Sequence, residues 1–189
     1  MNIIDIKSKD SLKNATEVLT SGGVLVMPTD TVYGIGCILN KTAIRKLYKI
    51  KNRPATQPTA VLMSRNVFDG KRNSDLVLDL KLDQKFYSGE LTIIDDIVNY
   101  AIEFPKMIVA EDNTIGIRLP NHAWLSKLID EVGPIVTTSA NKKGEPTPAN
   151  FAEVSDQIKK EADLTIETNE KLKGTPSSIY HLDLKKDIR

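Results

Sequence analysis

Three short segments collect side chains that suit an anionic ligand. The first runs from Lys41 to Arg53, KTAIRKLYKIKNR, with six basic residues and no acidic one in 13 positions. Lys41, Arg45 and Lys49 recur at i, i+4 and i+8 and share one helical face; a solvated face and an anion-facing one are both open for these three. Lys51 and Arg53 differ, because Pro54 biases Arg53 toward extended backbone just past the helix. Extended residues two apart project to the same side, so both cations are expected to converge on one anion. A lysine point charge beside an arginine fork suits phosphate oxygens. The second segment, Ser139-Ala140-Asn141, leaves an apolar strand and enters the turn-rich stretch Lys142 to Pro148. Ser139 and Asn141 are again two apart, and the small Ala140 lets backbone approach a ligand. Taken alone, a turn whose side chains serve the local backbone is the simpler account. The third is Pro28 to Gly36, PTDTVYGIG, which sets Thr29, Asp30 and Thr31 at the end of a buried strand, where open α/β sheets often place ligands.

Several other chemistries are excluded. No GxxxxGK[ST], GxGxxG or GxSxG pattern occurs, so a nucleotide would bind outside those scaffolds and there is no nucleophile elbow. Cys37 is the only cysteine, and His122 and His181 have no paired-ligand spacing. An intramolecular disulfide and a multi-cysteine zinc site are impossible, and no tightly bound protein metal is expected. With 26 basic and 25 acidic residues the net charge is +1, so any polyanion site must arise from local clustering. The amino-terminal MNIIDIKSKD lacks the apolar stretch of a signal peptide, and no run approaches 18 apolar residues. A cytoplasmic protein with no membrane partner is expected.

The elements that must position these residues follow from apolar spacing. A length of 189 residues, 40% hydrophobic and 27% charged, fits one globular domain over 1–189. Asp10 or Ser11 starts a helix with Leu12, Ala15 and Leu19 on one face, ended by Gly22-Gly23. Val24 to Met27 reads as a buried strand stopped by Pro28. Residues 41 to 51 form a helix with Ala43, Ile44, Leu47 and Tyr48 inward. Ala60 to Met63, Leu91 to Ile94, Met107 to Ala110, Ile115 to Leu119, Ile135 to Thr138, Leu164 to Ile166 and Ser178 to Leu182 are strand candidates. Asn121 is a suitable cap for a helix carrying Trp124, Leu125, Leu128 and Ile129, ended by Gly133-Pro134, and Asn150 for one running to about Lys160. Cys37 and Trp124 read as core, His122 as a cap or a cavity neighbour, and Asp30 and Glu145 as loop-orienting groups. Segments 66–90 and 95–106 carry no readable period. Strands and helices in this order specify a layered α/β or α+β sheet.

Four motifs in order, PTDTVYGIG, KNRP, GIRLPNH and TTSANKKGEPTP, resemble the YrdC family over about residues 8 to 182. The resemblance implies an α/β fold, a twisted mixed sheet flanked by helices around a concave, positively lined cavity. It implies an L-threonylcarbamoyladenylate synthase that joins L-threonine, bicarbonate and ATP and releases pyrophosphate. The product would serve threonylcarbamoyladenosine modification of tRNAs that read codons starting with A. By the same resemblance Lys51 and Arg53 are catalytic. ATP is bound by Lys51, Arg53, Gln57, Thr114, Ser139, Asn141, Thr147 and Arg189, and threonine by Thr31, Arg118, Thr137 and Ser177. Mg²⁺ would arrive on the ATP phosphates, and tRNA or threonylcarbamoyl-transfer proteins would act downstream. The chain departs from the family in carrying Gln57 for a lysine and Tyr87-Ser88-Gly89-Glu90-Leu91-Thr92 for WPGPLT. Two other readings are an RNA-binding module using the same basic cavity without catalysis, and a related carbamoyl-transfer enzyme. Few aromatics are available for base stacking, since only 5% of the chain is aromatic.

Overall fold

The run at 24–27 is apolar at every position because both of its faces are covered. In the computed structural model, which describes residues 2–54, 57–73, 75–142 and 144–188, the strands are β1 (Ile3–Asp5), β2 (Leu25–Pro28), β3 (Tyr33–Ile38), β4 (Ala60–Leu62), β5 (Leu91–Asp96), β6 (Thr114–Arg118), β7 (Ile135–Ser139), β8 (Leu164–Glu167), β9 (Ser178–His181) and β10 (Lys186–Asp187). The helices are α1 (Ser11–Thr20), α2 (Lys41–Ile50), α3 (Arg65–Lys71), α4 (Leu80–Tyr87), α5 (Ala123–Val132) and α6 (Asp156–Glu161). Among the described residues these strands form one mixed sheet in the order β1-β8-β2-β3-β7-β4-β6-β5-β9-β10. The pairs β2/β8, β4/β6 and β5/β9 are parallel, while β2/β3, β3/β7, β4/β7 and β5/β6 are antiparallel.

Alternation divides the core. Leu25, Met27, Leu62 and Ile135 join Ala15 and Leu19 of α1 and Leu125, Leu128 and Ile129 of α5 on one face. Val24, Val26, Val61 and Val136 join Ala43, Ile44 and Leu47 of α2 on the other. Further along the first face the side chains turn polar. Register sets Thr137 between Gly36 and Ala60, Ser139 beside Gly34, and Arg118 between Leu62 and Thr92.

Gly36 is required by that register. A Cβ there would lie 2.5 Å from Thr137 Oγ1 and 2.8 Å from the Val136 carbonyl. Gly36→Ala is expected to lower stability by about 1–3 kcal/mol through overpacking, read as a lower urea midpoint at unchanged slope.

Three expectations change, and one strand had no expectation. Met107 to Ala110 is not a strand: after Pro105, Lys106–Ile108 makes one 3-10 turn whose buried Ile108 plugs the core. The α5 cap is His122 rather than Asn121, with Nδ1 accepting from the Leu125 N–H at 3.3 Å. Asn150 caps only the 3-10 turn Phe151–Glu153, and Ser155 starts α6 afresh. Tyr33–Ile38, rich in glycine and without alternation, is a central strand.

Candidate active site

The end of α2 sets the cation pair. Asn52 adopts left-handed backbone at φ 48; its N–H bonds to the Lys49 carbonyl at 3.1 Å, and the Arg53 N–H to the Tyr48 carbonyl at 2.9 Å. This Schellman closure ends the helix. Lys51 is therefore the helical cap residue, at φ −78 and ψ −8, so an extended Lys51-Asn52-Arg53 segment is not what aims the two cations. They diverge. Buried Lys51 donates from Nζ to the Ser139 carbonyl at 2.6 Å, to the Asn141 carbonyl and to Asn141 Oδ1 at 3.4 Å. Three acceptors meet the three donors of an ammonium. Arg53 instead donates from Nη2 to the Pro58 carbonyl and from Nε to the Gln57 carbonyl at 3.4 Å. Burial, followed by the nearby Arg53 guanidinium, pushes the Lys51 pKa down to about 8, with Glu145 acting in the opposite direction.

At the end of β7, Ser139 Oγ donates to Asn141 Oδ1 at 2.5 Å, and Asn141 Nδ2 donates to the Glu145 carbonyl at 2.6 Å. Glu145 Oε2 accepts from the Lys142 N–H at 3.1 Å, closing the turn. Ala140 is fully buried, and its N–H bonds to the Tyr33 carbonyl at 2.8 Å. The small residue thus fits a close approach of β3 to the turn.

Arg118, at the end of β6, donates from Nε to the Gly89 carbonyl at 3.0 Å and from Nη2 to Asp30 Oδ1 at 2.6 Å. Thr31 Oγ1 lies 3.0 Å from Thr29 Oγ1, and Ser177 Oγ lies 2.8 Å from Thr92 Oγ1. Thr137 Oγ1 is buried with no hydrogen-bond partner among the described residues, a hydroxyl facing Gly36 and next to the cavity.

These groups surround a cavity of about 400 Å³ and a smaller recess of about 140 Å³ beside it, with Arg53, Gln57, Thr138 and Ser139 lining both. Arg53, Gln57, Ser139, Thr147, Thr31, Arg118, Thr137 and Ser177 line the larger cavity, while Lys51 and Asn141 line the recess. Thr114 is not gathered there. It sits at the opposite end of β6 from Arg118, roughly 13 Å along the strand, with its hydroxyl donating to Asp112 Oδ1 at 2.7 Å. Arg189 lies outside the described residues. Sequence reasoning did not select Thr59, Thr92 and Thr138 and gave Thr29 no ligand of its own, yet all four also line the cavity; with the assigned residues, hydroxyl-bearing side chains make up nearly half of its wall. A larger recess of about 670 Å³ lies apart, among Phe68, Asp69, Arg72 and Tyr87. Its cation is already engaged, Arg72 Nη1 pairing with Asp95 and donating to Tyr100 Oη at 2.8 Å.

A family model designated Sua5_yciO_yrdC, with the description telomere recombination, matches residues 17–189. The chain belongs to the Sua5/YciO/YrdC family. A Pseudoalteromonas translucida relative named threonylcarbamoyl-AMP synthase is 28% identical over 155 residues, covering 81% of this chain and 83% of its own. The crystal structure of E. coli YciO superposes with a TM-score of 0.81 at 25% identity over 100% of this chain and 92% of that one. P. abyssi Sua5, crystallised with L-threonine, superposes with a TM-score of 0.83 at 24% identity over 97% of this chain. The present chain spans 55% of that longer protein.

Within this Sua5/YciO/YrdC fold the altered 87–92 segment has a definite partner. Gly89 takes φ 81, and Glu90 pairs with Lys173 at 2.5 Å. The segment that follows β8 is tied down on its other side by Gly174 N–H to the Thr31 carbonyl, 2.8 Å, and Leu172 N–H to the Ala149 carbonyl, 3.1 Å. It delivers Pro176 and Ser177 to the cavity wall. No cluster of three or more His, Cys, Asp or Glu suited to a metal ion occurs among the described residues. Among the same residues no helix is long and apolar enough to cross a membrane.

Proposed function

We propose that this chain, as one domain over 1–189, is an L-threonylcarbamoyladenylate synthase of the cytoplasm. The observation that carries the reading is one hydroxyl-rich cavity walled by both Arg53 and Arg118. These are cations from different elements, each fixed by carbonyl or carboxylate oxygens. Arg118 lies on β6 and Ser139 on β7, with β4 between them. Two strand spacings, about 10 Å, suit an amino-acid carboxylate at one side and a nucleotide at the other.

In the proposed reaction the threonine amine and bicarbonate give N-carboxythreonine and water. A carboxylate oxygen of that adduct attacks the α-phosphorus of ATP, forming the C–O–P bond as the bond to the β,γ-diphosphate breaks. Pyrophosphate leaves with its electron pair. No side-chain nucleophile is needed, and positioning with charge neutralisation supplies the rate. Arg53, Gln57, Ser139, Asn141 and Thr147 are assigned to the nucleotide, and Thr31, Arg118, Thr137 and Ser177 to threonine. Lys51 acts in this reading by setting the Ser139–Asn141 turn. Mg²⁺ enters with the ATP phosphates as part of the substrate. The adenylate is a labile mixed anhydride, so a downstream acyl transfer to tRNA, directly or through transfer proteins, would consume it.

Pyrophosphate release from ATP and bicarbonate, with and without L-threonine, tests the reading. Release is expected only with L-threonine, with L-serine and L-valine much poorer. Folded protein that releases none would overturn the synthase and leave the RNA-binding module or the carbamoyl-transfer enzyme.

A further inference from the structure

Arg118 does not project into the cavity as an independent cation. Its side chain is 7% exposed, and its partner Asp30 is 14% exposed. Nε is held by the Gly89 carbonyl at 3.0 Å and Nη2 by Asp30 Oδ1 at 2.6 Å, while Nη1 has no partner among the described residues. Arg118 lines the cavity and Asp30 does not. The carboxylate therefore stands behind the guanidinium and fixes the plane of its fork. Gly89 belongs to the same device. A Cβ there would overlap Asp30 Oδ2 and come within 2.8 Å of the Asn121 nitrogen, so only glycine lets the carbonyl and the carboxylate hold one guanidinium together. Burial lowers the pKa of nearby His122, against the opposing pull of Asp30 and Glu170, which disfavours a competing positive charge there.

We propose that Asp30 is a positioning residue for amino-acid recognition: with the Gly89 carbonyl it orients Arg118 so that the Nη1 edge meets the substrate carboxylate. This rests on the synthase reading above. Two effects of Asp30 have opposite signs. Its charge opposes that of Arg118 and by itself weakens carboxylate binding; its hold on the fork removes rotational freedom and strengthens it. The structure favours the second, because a planar fork pinned at two nitrogens has one orientation left.

The test uses the full chain with L-threonine and with L-threoninamide, which lacks the carboxylate. Calorimetric binding and the KM values for threonine and ATP are the readouts. Asp30→Ala is expected to weaken L-threonine binding about tenfold or more, the scale of a lost hydrogen bond to a charged group. The KM for ATP should stay within about threefold. The preference for threonine over its amide should shrink by the same factor, which a general loss of structure would not produce. In an Arg118→Ala background the Asp30 change should add nothing. Unchanged or tighter L-threonine binding, or an equal loss for the amide, would overturn the proposal. Asp30→Asn keeps the volume and one acceptor, and it is read by the same criteria if the alanine variant does not fold. Wild-type protein that neither binds L-threonine nor shows threonine-dependent release would overturn the synthase reading itself, a result distinct from any difference between variants.

Discussion

Arg118→Ala is expected to lower kcat/KM for L-threonine by about 2–5 kcal/mol, the loss typical of removing one partner from a buried, hydrogen-bonded charge pair. That is roughly a 30-fold to few-thousand-fold change in rate constant. The argument begins with the strand. Arg118 is the last residue of β6, flanked by Leu62 and Thr92, so its side chain leaves the sheet on the cavity face. Nε and Nη2 are taken by Gly89 and Asp30, and the remaining donors face the site. Alanine removes those donors and also leaves Asp30 buried without its counter-charge, so stability should fall as well. The two effects separate in measurement. Stability is read from the thermal midpoint, whereas kcat/KM for ATP at saturating threonine should change by less than about threefold if the role is local. Arg118→Lys keeps the charge but not the fork, and should recover part of the stability and little of the threonine use. An unchanged threonine dependence in Arg118→Ala would sink the assignment.

What the sequence discloses depends on whether a residue's partners are near in the chain. α1, α2, β2 and β7 are legible because their apolar spacing records the face they bury, and Leu25 and Met27 part from Val26 as alternation requires. β3 is not legible. Gly34 and Gly36 leave out the side chains that would mark a strand, and their reason lies across the sheet in Ser139 and Thr137. The apolar run at 107–110 misleads in the other direction, since short buried segments look alike whether they pair or plug. In the site, Lys51, Arg53, Ser139 and Asn141 stand out through charge and spacing, and Arg118 through a recognisable motif. Their mutual arrangement does not, because the contact of Lys51 with Ser139 joins residues 88 apart in the chain. Thr59 and Thr92 could not be chosen among the other threonines. Only the pairing of Ala60 with Thr137 and of Arg118 with Thr92 gathers their neighbourhood around one space. Thr114 shows the converse, a residue on the right strand but at its other end.

Lys51→Ala should reduce kcat/KM for ATP by about 2–5 kcal/mol while leaving L-threonine binding within about threefold. Its ammonium ties the end of α2 to both carbonyls of the Ser139–Asn141 turn and to the Asn141 amide oxygen. Without it those oxygens lose their common donor, and the turn loses the anchor that sets Ser139 and Asn141 beside the recess. Lys51→Arg retains a charge but spreads its donors over a plane, which cannot place three at one point, so only partial activity is expected. The pH dependence gives an independent check. With the folded pKa lowered to about 8 by burial and Arg53, kcat/KM for ATP should fall on an alkaline limb near pH 8, because this parameter reports the free enzyme. In Lys51→Arg that limb should move beyond about pH 10, since a guanidinium keeps its proton. Stability should move the other way. An unfolded lysine holds its proton to about 10.4, so between about pH 8 and 10 the unfolded chain binds more protons than the folded one. Measured against Lys51→Met, which keeps the apolar stem without a titratable group, wild-type stability should therefore rise with pH across that window. A lysine whose main work was to present positive charge on an open surface would keep its proton through the same range and show neither limb. Activity falling while relative stability rises is the signature of an ammonium held at the expense of its own solvation, and it distinguishes a clamp within the protein from a charge displayed to solvent.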